Sequence, residues 1–417
     1  MIKHLFKYIW TQRGKNVWIL TELFLVFVVL WYIIDTFVML GITSMTPIGT
    51  NISNVYKVTY GYYNAEHPRH IVYDEDSEEP GRNFLRMLDR IRQHPDVEIV
   101  SIGKNHYPYC RATMTNIYKR DSLSSNNTQM LFVTPEYFRM FDVRPIDGGS
   151  PEVLANIIEN DGIIVSAGMA NDLFPDTQAV GESFYDYFNK EYKINAVSHI
   201  LKRYEYTRPS AVIFLPLKDS DFLGNNDDYI WKNIDICIKV NSSVANFPSR
   251  FKEDMRQQLE IGNFFLSEIT PLTSVRENFL RDYDVYSTIQ SRIGLCIFFL
   301  INIFLCVLGT FWLRIKKRKS EIGLRMAMGS TGNQVKNLLL AESLLMLMIA
   351  SVPAMIVCIN FIIADIMPTD SMDFTTARFI LDTIATYLLL AIIIAFSTLY
   401  PAISSAKILP AEALHNE

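Results

Sequence analysis

The chain has 417 residues, 49% hydrophobic and only 20% charged, with a mean hydropathy of +0.13. That balance excludes an ordinary soluble protein, and a net charge of −5 offers no footing for nucleic acid. The charge is unevenly spread, so the averages hide two populations of residues.

Residues 1–16 carry Lys3, Lys7, Arg13 and Lys15 and read as a cytoplasmic amphipathic N-terminus. Residues 17–42, "VWILTELFLVFVVLWYIIDTFVMLGI", exceed the roughly 20 apolar residues that a bilayer-crossing helix needs. This run is too long for the apolar core of a signal peptide, and no small-residue cleavage site follows it. It reads as an uncleaved anchor. Residues 43–288 are polar-rich and long enough for one or two domains outside the membrane.

Within that domain, "NISNVYKVTYGY" at 51–62 alternates and is rich in β-branched and aromatic residues, so it predicts a strand. "RNFLRMLDRIRQHPDV" predicts a helix with Phe84, Leu85, Leu88 and Ile91 on one face. "VEIVSIG" at 97–103 is the next strand. The same order returns as a strand at 233–240, a helix at 244–262 and a strand at 263–270. Two βαβ-like units thus bracket a mixed middle section, about 105–230, in which two short helices are expected near 135–141 and 166–174. In "PLTSVRENFLRDYDVYSTIQSR", Leu272, Val275, Phe279 and Tyr283 recur at helical spacing, with no internal Gly or Pro until Gly294. This predicts a helical stalk continuous with the next span.

Three further apolar runs follow, at 289–313, 338–364 and 379–400. The 314–337 loop is basic, with Arg314, Lys316, Lys317, Arg318, Lys319, Arg325 and Lys336. The 365–378 loop holds Asp365, Asp370 and Asp373 against Arg378. By the bias of Lys and Arg toward the cytoplasm, both termini, the 401–417 tail and the 314–337 loop are cytoplasmic. Residues 43–288 and 365–378 face outward. Ionisable residues in spans usually face a protein interior. Glu22 and Glu342 are expected to pair with the cytoplasmic basic collar, and Asp35 to reach water at the outer end. Pro353 is expected to kink the third span.

No catalytic constellation emerges. No G-x-x-x-x-G-K-[ST] occurs, so the chain has no P-loop of its own for ATP. His67 and His70 beside Asp74, Glu75 and Asp76 read either as a cation site or, more simply, as a solvated loop. Cys110 and Cys237 lie in the outward domain, where a disulfide is chemically possible, and two free thiols are the alternative.

"RIKKRKSEIGLRMAMGSTGNQVKNLLLAESLL" is the informative stretch. Glu321 and Arg325 stand four apart with Glu first, which suits a helix. Ile322, Leu324, Met326 and Met328 make it greasy, and Gly329 and Gly332 allow a turn before the third span. It reads as a docking helix at the cytoplasmic interface, or as an interfacial helix that only meets anionic membrane lipid.

Three stretches together resemble the MacB/FtsX-type permeases of ABC transporters, the mechanotransmission class. They are this segment, the tail "YPAISSAKILPAEAL" at 400–414, and "VTPEYFRMFDVRPIDGG" followed by "IIVSAGMANDLFPDTQAVGESF". The resemblance covers nearly the whole chain, without a fused ATPase domain. It implies an α-helical membrane protein with four transmembrane helices. It also implies a large α+β extracytoplasmic domain of two lobes, a βαβ-type lobe with an inserted mixed lobe.

It further implies a bacterial inner-membrane permease subunit with no catalytic site, moved by two copies of a separate ABC ATPase that bind the ATP and Mg. Glu321, Ile322, Gly323, Leu324, Arg325, Met328 and Gly329 would couple to that ATPase. A second permease chain, identical or a paralogue, would complete the assembly, and a periplasmic adaptor and outer-membrane channel are further implied partners. Export of a peptide, antibiotic or other amphiphile is the implied activity. The alternatives are LolC/LolE-like lipoprotein release, or regulation of a cell-wall hydrolase or sensor without transport.

Overall fold

The computed structural model describes residues 13–74, 76–223, 233–241, 246–367, 369 and 371–406. The chain divides into two units, one of Met1–Thr43 with Ser287–Glu417 and one of Ser44–Tyr286.

In the second unit, β1 (Val55–Tyr62), α2 (Glu79–Arg92) and β2 (Val97–Lys104) form one split βαβ. The other is β9 (Ile234–Val240), α6 (Phe247–Met255) and β10 (Phe264–Pro271). The strands interleave in the order β10-β1-β9-β2, every neighbouring pair antiparallel. Each strand–helix–strand crossover therefore spans a strand of the other unit. Helix α2 begins with Pro80 in its first turn and buries Phe84, Met87, Leu88 and Ile91. Helix α6 buries Phe247, Phe251 and Met255, a stripe repeating every fourth residue. It ends at Met255, short of the expected end at Gly262. Gly262 instead takes φ +57 where a Cβ would meet the Asn83 and Tyr73 side chains.

The inserted lobe carries β3 (Met114–Arg120), β4 (Leu123–Val133), β5 (Ile163–Ser166), β6 (Ser183–Asp186), β7 (Glu191–Ser198) and β8 (Val212–Pro216). The order β2-β4-β3-β6-β7-β5-β8, with β8 also on β4, closes a ring of six strands. Strand β4 belongs to both lobes, because Phe132 and Val133 pair with Lys104 and Gly103 of β2. The lobes thus share one sheet. Tyr118, Phe184, Ile194 and Ile213 pack together within the inserted lobe. Val55, Cys237 and Leu272 of the first lobe share a core with Leu131, Phe138 and Phe214 of the second.

Helices α3 (Glu136–Phe141) and α5 (Ala167–Leu173) occupy the two expected places, and α4 (Pro151–Glu159) is an additional one. Ser150 caps α4 by accepting from the Glu152 N–H, with Pro151 at the first helical position. Helix α7 (Leu272–Asp282) closes the unit.

Among the described residues, four helices are long and apolar enough to cross a membrane, within α1 (Arg13–Met45), α8 (Val285–Lys317), α10 (Gly332–Ile363) and α11 (Thr376–Ala406). A short helix, α9 (Lys319–Ala327), lies between α8 and α10. Phe27, Leu30, Trp31, Val307, Phe311, Met346, Ala350, Ala354 and Leu390 form the shared interior. Leu25, Phe298, Leu305, Ile356, Ile384 and Phe396 point away from it. Apolar inside and outside is what a lipid solvent permits, so packing and polar contacts decide which helices meet. Pro353 sits inside α10 and removes one backbone donor there.

Candidate functional site

Helix α9 ends in a Schellman motif. Gly329 takes φ +96, its N–H reaches the Met326 carbonyl at 3.0 Å, and the Ser330 N–H reaches that of Arg325 at 3.1 Å. Thr331 then caps α10 in a capping box with Gln334. The turn therefore rests on Gly329 alone. Gly332, expected to share it, is the first residue of α10.

The apolar residues of α9 divide between two faces. Ile322 is buried with Ile315, Val335 and Leu339, and Met326 packs against them. Gly323 is buried too. Leu324 and Met328 are 52% and 73% exposed. The helix thus has an inner face that seats it on α8 and α10, and an outer apolar face left open.

Electrostatics fix the seat. Glu321 accepts from Arg325 at 3.0 Å, the expected i, i+4 pair, and from Arg318 at 2.9 and 3.1 Å. Arg318 also donates to Glu342 of α10 at 2.8 Å. Arg314 of α8 donates to the other Glu342 oxygen at 2.6 Å and to Asn16 of α1 at 3.2 Å. Glu342 is only 3% exposed and both its oxygens are used. One continuous chain of charge-assisted hydrogen bonds therefore joins α9 to α8, α10 and α1. The arrangement offers no nucleophile or acid–base pair, and what it can do is hold a short helix rigidly while presenting Leu324 and Met328 to a partner.

Residues 293–410, which contain α9 with Arg314, Arg318 and Glu342, match the family model described as FtsX-like permease C-terminal. This part of the chain is similar to the C-terminal domain of FtsX-like permeases. Solved structures similar to it include the periplasmic region of MacB from Actinobacillus actinomycetemcomitans, at 9% identity and TM-score 0.33, covering 56% of this chain and 96% of that one. Another is the extracellular domain of the noncanonic ABC-type transporter YknZ from Gram-positive bacteria, at 10% identity and TM-score 0.31, covering 52% and 100%. No curated protein matches the sequence.

The expected stalk differs from the structure. Helix α7 stops at Asp282, Tyr283 is its cap, and Asp284 takes φ +52 before α8 starts at Val285. The helix is therefore not continuous with the second span. Leu272 and Phe279 are buried, and Val275 packs on the same core. Phe279 meets the Tyr109 and Tyr204 rings, while Tyr283 lies on Phe279 and is half exposed. Arg276 pairs with Glu205 at 2.5 Å, and Arg111 pairs with Asp282. The repeating apolar positions are the docked face of a helix lying on its own domain.

Two intramembrane readings also change. Glu342 meets the basic collar, but Glu22 accepts from Thr310 at 2.9 Å and from Cys306 at 3.2 Å, with no basic partner among the described residues. Asp35 does not reach water. It is fully buried and receives Arg378 Nε and Nη2 at 2.6 and 2.8 Å.

In the second unit, Cys110 and Cys237 are free thiols, and burial with the charge of Asp235 pushes both upward in pKa. His106 is buried, and burial reinforced by Lys57 lowers its pKa to about 3. Lys57 bridges Asp235 at 3.2 Å and Tyr107 at 2.9 Å, beside a cavity of about 350 Å³ that Arg111 and Asn278 also line. Among the described residues no group of three His, Cys, Asp or Glu could hold a metal. His67 stacks on Tyr63, and His70 bonds the Tyr63 carbonyl.

The sequence reading passed over Arg314, Arg318, Arg378 and Asp382 as site residues. For Asp382 a signal existed, since it is an acid within an apolar run long enough to span.

Proposed function

We propose that this permease works as a dimer whose α9 helices dock on two separate ABC ATPase subunits, with ATP and Mg bound on those partners. Both termini and α9 face the cytoplasm of a bacterial inner membrane, and residues 44–286 face the periplasm. ATP-driven closure of the ATPases moves α9, the spans carry the motion, and the outward unit expels a peptide, antibiotic or other amphiphile. An adaptor and outer-membrane channel would complete the export route.

One observation carries this reading. A helix seated by Ile322 and by the Arg318–Glu342 and Arg318–Glu321 pairs leaves Leu324 and Met328 uncovered. A helix that only anchored a loop would need no such bracing to two spans. The test replaces Glu321 and Arg325 by Ala and measures membrane insertion, ATPase co-purification and ATP-dependent export. Normal insertion with loss of the other two is expected. Wild-type ATPase recovery with unchanged export would overturn the proposal.

A further inference from the structure

Helix α11 carries Arg378, Asp382 and Thr386 at four-residue spacing on one stripe, each 2% exposed or less. Helix α1 meets that stripe with Asp35, fully buried. The Arg378 guanidinium is committed in three directions. Nε and Nη2 donate to the two oxygens of Asp35, Nη1 donates to the Met372 carbonyl at 2.7 Å, and its face lies over Phe374 at 4.9 Å.

Asp382 is different. It is fully buried, and no donor among the described residues reaches either oxygen; the group at hydrogen-bonding distance is the Asp35 carboxyl, itself an acceptor. The charged groups that act on it are Asp35, whose carboxyl lies beside its own, and Arg378. The hydroxyls of Thr383 and Thr386 and the Trp31 indole N–H are also buried without partners among the described residues.

Charge balance decides what Asp382 is. Two ionised carboxylates against one guanidinium would leave a net negative charge inside a helix bundle in lipid. Adjoining like charges cannot both stay ionised there, and an unsolvated carboxylate with no donor is costly. One proton removes both problems. It brings the cluster to zero charge and turns an orphaned acceptor into a donor. Each Asp35 oxygen keeps a lone pair after accepting from Arg378, so a neighbouring acceptor is ready.

We propose that Asp35 and Asp382 form a proton-binding carboxyl pair organised by Arg378, with the proton held on Asp382 and donated to Asp35. The bound proton joins α1 to α11 in a neutral unit. Its loss to water would place a second negative charge beside Asp35 and loosen that helix contact. The site does not depend on ATPase docking.

The test uses the full chain in lipid nanodiscs. Infrared spectra at neutral pH with isotope-labelled aspartate should show a protonated carboxyl band that shifts with the label and is absent from Asp382→Asn. Raising the pH should remove the band and lower the thermal midpoint together. Asp382→Asn, which keeps the shape of a neutral acid, should hold its midpoint over the same pH range. Absence of the band in the native chain, or its survival in Asp382→Asn, overturns the proposal. So does a midpoint that tracks sodium concentration at fixed pH, since a cation would then occupy the place of the proton. Should Asp382→Asn fail to insert, the alkaline titration of the native band against the midpoint decides alone.

Discussion

Arg318 donates at 2.8 Å to Glu342 in α10 while its other nitrogens grip Glu321 in α9. One side chain therefore ties a peripheral helix to a membrane span. Removing one member of a buried ion pair strands the other, at about 3 kcal/mol or more. Glu342→Gln should destabilise the membrane unit by about that amount, because Arg314 and Arg318 lose the negative charge between them and one of the two acceptor oxygens becomes an amide donor. Arg318→Lys should recover only part of the native stability, since a lysine cannot fork to two carboxylates. Thermal unfolding of the purified chain measures both.

The two faces of α9 separate docking from folding. Leu324→Asp and Met328→Asp change exposed positions and should leave the thermal midpoint within the about 0.5 kcal/mol expected of surface substitutions. They should nonetheless abolish ATPase recovery. Ile322→Asp buries a charge at a site 4% exposed and should destabilise the chain itself. Equal loss of stability in all three variants would show that α9 has no free face.

How much of this was legible depends on how far apart the partners lie in the chain. Glu321 and Arg325 are four apart, so helical geometry alone pairs them. Arg318 and Glu342 are 24 apart, and only the packing of α9 against α10 brings them together. The stripe Leu272, Val275, Phe279 was visible as a helix. Periodicity tells that a face is covered, not by what, and the cover proved to be the helix's own domain. The break at Asp284 carries no Gly or Pro to announce it. Aspartate visits the left-handed region more readily than most residues. The reading of Asp35 as solvent-reaching failed because its partner, Arg378, lies 343 residues away.

Gly329 isolates the value of the Schellman turn. Nothing lies within 4 Å of an added Cβ, and its φ is +96. Gly329→Ala therefore meets no clash, only backbone strain of about 1–2 kcal/mol. Gly329→Asn should cost less. A neutral result for both would mean the turn relaxes elsewhere.

His106 gives residues 44–286 an acid limit. Burial and then Lys57 bring its pKa from 6.5 to about 3. The unfolded chain therefore binds a proton below about 6.5 that the native domain refuses. The stability is fully present above that pH and is lost as pH falls toward 3, at up to about 1.4 kcal/mol per pH unit. Denaturation of residues 44–286 expressed alone should show this slope, and His106→Gln should flatten it.

The link at Asp284 tests whether the proposed force reaches residues 44–286 at all. Helix α7 is held to that unit by Leu272, Phe279, Leu280 and the Arg276–Glu205 pair, and then stops. Phe279→Ala should cost the unit about 3–5 kcal/mol, as for any large core aromatic. Asp284→Gly should be neutral or nearly so, because glycine takes the same positive φ without strain. The decisive variant is a four-residue Gly/Ser insertion after Asp284. Such a linker behaves as a flexible coil. It leaves α7 docked and α8 in the membrane, and changes only what passes between them. We expect membrane insertion, ATPase binding and basal ATP hydrolysis to survive while export is lost. An insertion variant that exports normally would mean the outward unit is a tethered binding module, moved by nothing in the membrane.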